Sequence, residues 1–160
     1  MSKPPPRILS IAGSDSSGGA GIQADIKTIA MLGGYAMTAI TSVTAQNSLG
    51  VQAIVPMAGS VVAQQIASCI DDIGIDAIKI GMLHDAEIIA AVAEALAEVK
   101  VPIVLDPVMI STSGSALIDP QAIAALRETL FVRATLITPN LPELSHLLGR
   151  SLETSSQMAE

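Results

Sequence analysis

Three groups of residues in this 160-residue chain have the types and spacing to do chemistry. The first is the run Gly18-Gly19-Ala20-Gly21, with Ser16 and Ser17 before it and Asp25 after it. One or two glycines would serve a bland strand-to-helix turn, but so many beside two serines and an acid favour close backbone approach to a ligand. Laid on the dinucleotide fingerprint the run reads Gly19-x-Gly21-x-x-Ala24, yet no acid lies between Asp25 and Asp71 to hold a ribose hydroxyl. The phosphate-loop pattern ending in Gly-Lys-Ser/Thr does not occur. Asp25 has two open readings: complementing a helix dipole, or accepting a hydrogen bond from a substrate hydroxyl or amine. The second group is Gln46 and Asn47, whose amides offer both a donor and an acceptor to the edge of a nitrogen heterocycle. The third is Asp106 and Glu143, two acids suited to a metal-bound phosphate, although either alone is more often a helix cap. His84, His146 and Cys69 show no metal-ligand spacing, and both histidines read as surface residues.

These residues need a frame. Apolar strand-like stretches at 8–12, 35–43, 49–55, 77–80, 103–105 and 136–138 alternate with helical periodicity at 20–32, 60–73, 85–99, 120–130 and 142–148. Ser60, Asp85 and Asp119 read as N-caps, and Gly33, Gly74 and Gly149 as stops. Such alternation predicts right-handed βαβ units and a mainly parallel sheet covered on both faces. Ligands in such sheets bind beyond the carboxyl ends of the strands. All three chemical groups fall just after a predicted strand.

Composition narrows the partners. Half the chain is apolar, 14% is charged, and the apolar share is aliphatic, with Phe131 and Tyr35 but no Trp. That balance supports a folded core and offers no aromatic platform for single-stranded nucleic acid. With eight Lys and Arg against fifteen Asp and Glu, the net charge of −7 disfavours nucleic acid and anionic membranes. Cys69 is the only cysteine and reads as a small buried hydrophobe in the 60–73 helix. The first seven residues lack a signal-peptide core, and no stretch reaches the ~20 apolar residues of a membrane span, so a cytoplasmic protein is expected. With no internal repeat or linker, residues 1–160 read as a single domain.

In order and spacing the motifs resemble the hydroxymethylpyrimidine/phosphomethylpyrimidine kinases of the ribokinase-like superfamily. The resemblance is carried by Ile11-Ala12-Gly13-Ser14-Asp15-Ser16-Ser17-Gly18-Gly19-Ala20-Gly21-Ile22-Gln23-Ala24-Asp25 and by Thr44-Ala45-Gln46-Asn47. It continues through Lys79-Ile80-Gly81-Met82-Leu83, Leu105-Asp106-Pro107-Val108-Met109, Ser113-Gly114 and Ile137-Thr138-Pro139-Asn140-Leu141-Pro142-Glu143. It implies a ribokinase-like three-layer αβα sandwich that phosphorylates 4-amino-5-hydroxymethyl-2-methylpyrimidine, and then its monophosphate, with ATP and Mg2+. By position, Gln46 would hydrogen-bond the pyrimidine, with Gly13, Ala20, Asp25, Met82 and Val108 completing that pocket. Asp106, Asn140 and Glu143 would face MgATP, Asp106 and Glu143 holding the metal. The family also implies a homodimer. The family's Gly-Thr-Gly-Cys or Gly-x-Gly-Asp turn, which carries the anion hole and base, does not occur in these residues. No catalytic residue is therefore assigned within the chain, and the base and anion hole are expected beyond Glu160. Thr112 stands where many relatives have Lys. The expectation is an incomplete kinase domain over 1–160, truncated at its carboxyl end, with little turnover by itself. The alternatives are a pyridoxal kinase-like enzyme and a non-catalytic pyrimidine-binding fragment.

Overall fold

The structure, a computed structural model, describes residues 4–109, 118, 120–152, 154 and 157. Its sheet comprises β1 (Arg7–Asp15), β2 (Tyr35–Asn47), β3 (Gly50–Pro56), β4 (Ala77–Ile80), β5 (Ile103–Leu105) and β6 (Leu136–Ile137). The strands lie in the order β3-β2-β1-β4-β5-β6, all parallel except β3, which runs back along β2. The helices are α1 (Gly21–Met31), α2 (Gly59–Ser68), α3 (Ala86–Ala95), α4 (Pro120–Thr129) and α5 (Leu141–Leu148).

From β1 the chain steps first to β2 on one side and later to β4 on the other. Crossovers of one hand running in opposite directions put their helices on opposite faces. Helix α1 accordingly lies over β1 and β2, while α2, α3 and α4 pack in series on the other face. Strand alternation sorts the side chains to match. Leu9, Ile11, Met37, Ala39, Ile78 and Ile80 join Val62, Ile66, Ile88 and Val92 in the main core. Ser10 points the other way, donating to Asp25 in α1. The crevice at such a reversal of strand order is where α/β sheets bind ligands.

At the amino ends of the strands, Arg7 forms a fork on Asp76 (2.8 and 3.0 Å) and its Nη1 donates to the Ile73 carbonyl. The guanidinium holds the Asp76 carboxyl at about 2. This clamp fixes the end of the sheet remote from the strand-end loops.

Several boundaries differ from the sequence reading. Strand β1 does not stop before Gly13 but runs to Asp15, and β2 runs to Asn47, so Gln46 and Asn47 sit in a strand and not a loop. The antiparallel pairing of β3 supplies the hydrogen bonds that extend β2. Ser60 is not the cap of α2, which starts at Gly59 after Ala58 without a side-chain cap. Its opening is instead met from outside, by Glu87 of α3 accepting from the Gly59 N–H. The same predicted helix does not remain α-helical to Ile73: Cys69–Ile73 widens into a π-helical turn closed by Gly74 N–H donating to the Cys69 carbonyl. Asp85 does cap α3, accepting from Ile88 N–H at 2.9 Å. The expected cap Asp119 and the positions Thr112, Ser113 and Gly114 lie outside the described residues. So does Glu160, the position beyond which the base and anion hole are expected.

Candidate functional site

A cavity of about 310 Å3 opens at the carboxyl edge of the sheet, at the reversal of strand order. It is lined by Ala12, Gly13, Ser14 and Asp15 of β1, Ala20, Gly21, Ala24 and Asp25 at the start of α1, Thr44 and Gln46 of β2, Lys79 and Met82 around β4, and Asp106 and Val108 after β5. That volume is at the small end of ligand pockets, roughly 300–1,000 Å3, and suits a single ring. Polar burial concentrates here. Ser10, Asp15, Thr41, Ser42 and Thr44, five of the six buried polar side chains among the described residues, sit on β1 and β2.

The glycine-rich loop forms one lip, and it is tied from inside. The Asp15 carboxylate, 4% exposed, accepts from Ser17 N–H and Oγ, Gly19 N–H and Ala20 N–H. Burial pushes this carboxyl up, but the hydrogen bonds from Ser17, Ala20 and Gly19 outweigh it and hold it below its ordinary value. Those amides therefore already serve an internal anion. Its ligand-facing surface is the backbone of Gly13, Ala20 and Gly21. Gly21 has φ +56°, and a Cβ there would lie 2.2 Å from the Gly13 carbonyl oxygen. At Gly13 a Cβ would meet side-chain atoms instead, Met82 Cε at 2.7 Å and Ser42 Oγ at 2.9 Å.

Opposite this lip, β2 changes phase. Ala12 pairs with Ile40 but Ser14 with Val43, so Gly13 faces two residues, Thr41 and Ser42. Such a bulge re-aims everything beyond it. Before it, Met37, Ala39 and Thr41 are the buried positions; after it, Ser42 and Thr44 are buried and Gln46 half-buried. The extra residue thus moves the buried set from odd to even positions, and Thr44 and Gln46 line the cavity. Gln65 of α2 supports the bulge by exchanging hydrogen bonds with both backbone groups of Ile40. The Thr44 hydroxyl lies 3.1 Å from both the Ser14 carbonyl and Gln46 Oε1, its one proton shared between them. Asn47 is exposed at the end of the strand, and its side chain accepts from Leu49 N–H in the β2–β3 turn.

The floor is charged. Asp25 Oδ2 accepts from Ser10 Oγ at 2.6 Å and from Lys79 Nζ at 3.1 Å. Asp106 is pushed up by burial, drawn back by the Lys79 charge and pushed up again by Asp25. Met82 is held from behind, its carbonyl accepting from the buried Thr41 hydroxyl at 2.6 Å. Two residues on, His84 is half-buried rather than on the surface and adopts φ +73°, the one non-glycine in that region among the described residues.

All six residues assigned to the pyrimidine side, Gly13, Ala20, Asp25, Gln46, Met82 and Val108, thus line one cavity, and Asp106 joins them. Asn140 and Glu143 do not line it. They form a reciprocal cap on α5, Asn140 Oδ1 accepting from Glu143 N–H and Glu143 Oε2 from Asn140 N–H, each at 2.9 Å. Glu143 Oε1 also accepts from Met109 N–H, which ties α5 to the segment after Asp106. Burial raises the Glu143 carboxyl, its backbone hydrogen bonds lower it, and the Asp106 charge raises it again. No group of three or more metal-ligating side chains occurs among the described residues. The half-buried Asp106 and the buried Glu143 still fit a hard cation such as Mg2+, which takes one or two acids and fills its shell with water and phosphate oxygens.

Sequence reasoning missed Asp15 and Lys79 as working residues. A lysine inside the four-residue apolar strand Ala77-Ile78-Lys79-Ile80 was the available signal. Cys69 packs against the core with its thiol raised by burial, as expected of a small hydrophobe. No helix among the described residues is long and apolar enough to cross a membrane.

Comparison with known proteins bears on the same residues. The family described as phosphomethylpyrimidine kinase matches residues 15–160. The chain is 53% identical over 158 residues to the hydroxymethylpyrimidine/phosphomethylpyrimidine kinase of Mycobacterium tuberculosis (strain ATCC 25618 / H37Rv), covering 97% of this chain and 58% of that protein. The crystal structure of phosphomethylpyrimidine kinase from Clostridium difficile 630 superposes with a TM-score of 0.87 at 44% identity, over 96% of this chain and 67% of that one. Bacillus subtilis pyridoxal kinase, solved as an ADP complex, gives 0.85 at 41% identity, over 96% and 59%. The chain spans 58–59% of the length of the first curated relatives it matches.

Proposed function

The chain belongs to the phosphomethylpyrimidine kinase family, and from that membership we propose that it forms the pyrimidine-binding part of an ATP-dependent kinase of thiamine biosynthesis. The substrates are 4-amino-5-hydroxymethyl-2-methylpyrimidine and its monophosphate, and the end product is the pyrophosphate. One observation carries this reading: residues from four separate strand ends, chosen on motif alone, line a single ring-sized cavity.

In this reading the Gln46 Nε2 donates to a ring nitrogen, with the Thr44 hydroxyl beside its Oε1. Met82 and Val108 supply apolar contact to the ring, and Gly13, Ala20 and Gly21 let backbone approach its edge. Asp25, with Oδ2 taken by Ser10 and Lys79, presents its remaining oxygen to the exocyclic amine. Asp106, with Glu143 and Asn140 behind it, faces the nucleotide and Mg2+. When bound, the metal neutralises phosphate charge during transfer, a reaction governed by positioning and electrostatics. The described fold reads as one ribokinase-like unit.

Isothermal calorimetry with the hydroxymethylpyrimidine tests the reading, with pyridoxal as the competing ligand. Binding of the pyrimidine in preference to pyridoxal is expected, and Gln46→Ala is expected to weaken it at least tenfold, about 1.4 kcal/mol for a buried amide contact. Preference for pyridoxal, or unchanged affinity in Gln46→Ala, would overturn it.

A further inference from the structure

We propose that Lys79 is the specificity residue for the phosphorylated substrate, its ammonium receiving the phosphate of the monophosphate ester. This rests on the pyrimidine reading above. Relatives are named for two substrates that differ by one phosphate. A single cavity must then accept both a neutral alcohol and a dianionic ester.

The charges facing the cavity make the second task difficult. The ionisable residues lining it are Asp15, Asp25, Asp106 and Lys79. The Asp15 carboxylate is turned onto the amides of its own loop, which leaves the Asp25 and Asp106 carboxylates to face an incoming phosphate. Among the described residues Lys79 is the only cation that lines the cavity. Other cations have duties elsewhere: Arg7 on Asp76, Lys27 on the Gly18 carbonyl, Arg127 on the Leu147 carbonyl and Arg133 on the Leu96 and Ala97 carbonyls.

The Lys79 ammonium and both acids line the same cavity. The Lys79 Nζ is 3.1 Å from Asp25 Oδ2, and its charge acts on Asp106. An ammonium has three donors, and Asp25 takes one. The same Asp25 oxygen is already satisfied by Ser10, so the carboxylate has a hydrogen-bond partner without the lysine. A part-buried ion pair contributes little to stability by itself, which leaves the lysine without a sufficient structural reason. The lysine chain also crosses over Gly81, where a Cβ would lie 2.8 Å from Nζ. The missing side chain at Gly81 is what lets the ammonium reach this spot.

Calorimetry of Lys79→Met, Lys79→Arg and Gly81→Ala against the alcohol, its monophosphate and ADP tests this, with thermal melts run alongside. In Lys79→Met the ratio of monophosphate to alcohol dissociation constants is expected to rise at least tenfold, and Lys79→Arg to recover most of it. Gly81→Ala, which displaces the ammonium without removing its charge, is expected to shift the ratio the same way by less. Equal losses for both pyrimidines would overturn the proposal and reduce Lys79 to a support for Asp25. A loss confined to ADP would overturn it in favour of a nucleotide contact. If Lys79→Met does not fold, the ratio in Gly81→Ala decides, and an unchanged ratio there overturns the proposal. Wild-type protein that binds neither pyrimidine sinks the functional reading itself, and this inference with it.

Discussion

Replacing Gly21 with alanine tests whether the loop-to-helix junction is held by backbone contact, and Gly33 provides the control. Both residues have positive φ, +56° and +82°. At Gly33 nothing lies within 4 Å of a built Cβ, so Gly33→Ala meets only the left-handed penalty of about 1 kcal/mol. At Gly21 the same atom would lie 2.2 Å from the Gly13 carbonyl oxygen, 3.2 Å from its carbon and 3.4 Å from the Asp15 nitrogen. All three are backbone atoms, so no rotamer change relieves the clash and β1 must part from α1. Adding an overpacking cost of about 1–3 kcal/mol to the conformational term puts Gly21→Ala at roughly 2–4 kcal/mol. Urea denaturation followed by circular dichroism measures both variants. Calorimetry should also show weaker pyrimidine binding in Gly21→Ala, because Gly13 and Ala20 move with the junction. If the two variants lose equal stability, the close approach of Gly13 and Gly21 is not what the junction requires.

Two further outcomes follow from the same packing. The Asp15 carboxyl is held below its ordinary value of 3.8, so the stability it contributes is complete above about pH 4 and drains as pH falls through the folded-state value. Asp15→Asn should be less stable than wild type at pH 7 by about 1–3 kcal/mol, and the gap should close in denaturation series carried toward pH 3. Thr41→Val removes the buried donor to the Met82 carbonyl and should destabilise by about 1–3 kcal/mol in urea. A pyrimidine affinity that did not fall in that variant would show that Met82 is positioned by other contacts.

Much of this architecture was legible because its signals are local and agree with one another. Asp85 at a cap, Pro142 in the first turn of α5 and Gly149 with φ +64° just past its end each set a boundary that the backbone adopts. What could not be read depends on partners distant in sequence. Gln46 looked like a loop residue because the pairing with β3 that keeps it extended is invisible in a run of ten residues. The opening of α2 carries no cap of its own because Glu87, 28 positions away, provides it. Asp15 and its neighbours have the composition of a ligand-binding loop, and only coordinates reveal that the carboxylate folds back onto the amides after it. Lys79 was quoted within a motif, yet its meeting with Asp25 across 54 positions is what gives it a role.

The doubled position opposite Gly13 makes ligand choice a matter of spelling. Thr44 and Gln46 read into the cavity only because β2 holds one more letter between Ile40 and Val43 than β1 has facing it. Pairing the same letters without the doubled position would set Ser14 against Ser42 and turn Thr44 and Gln46 toward the other layer.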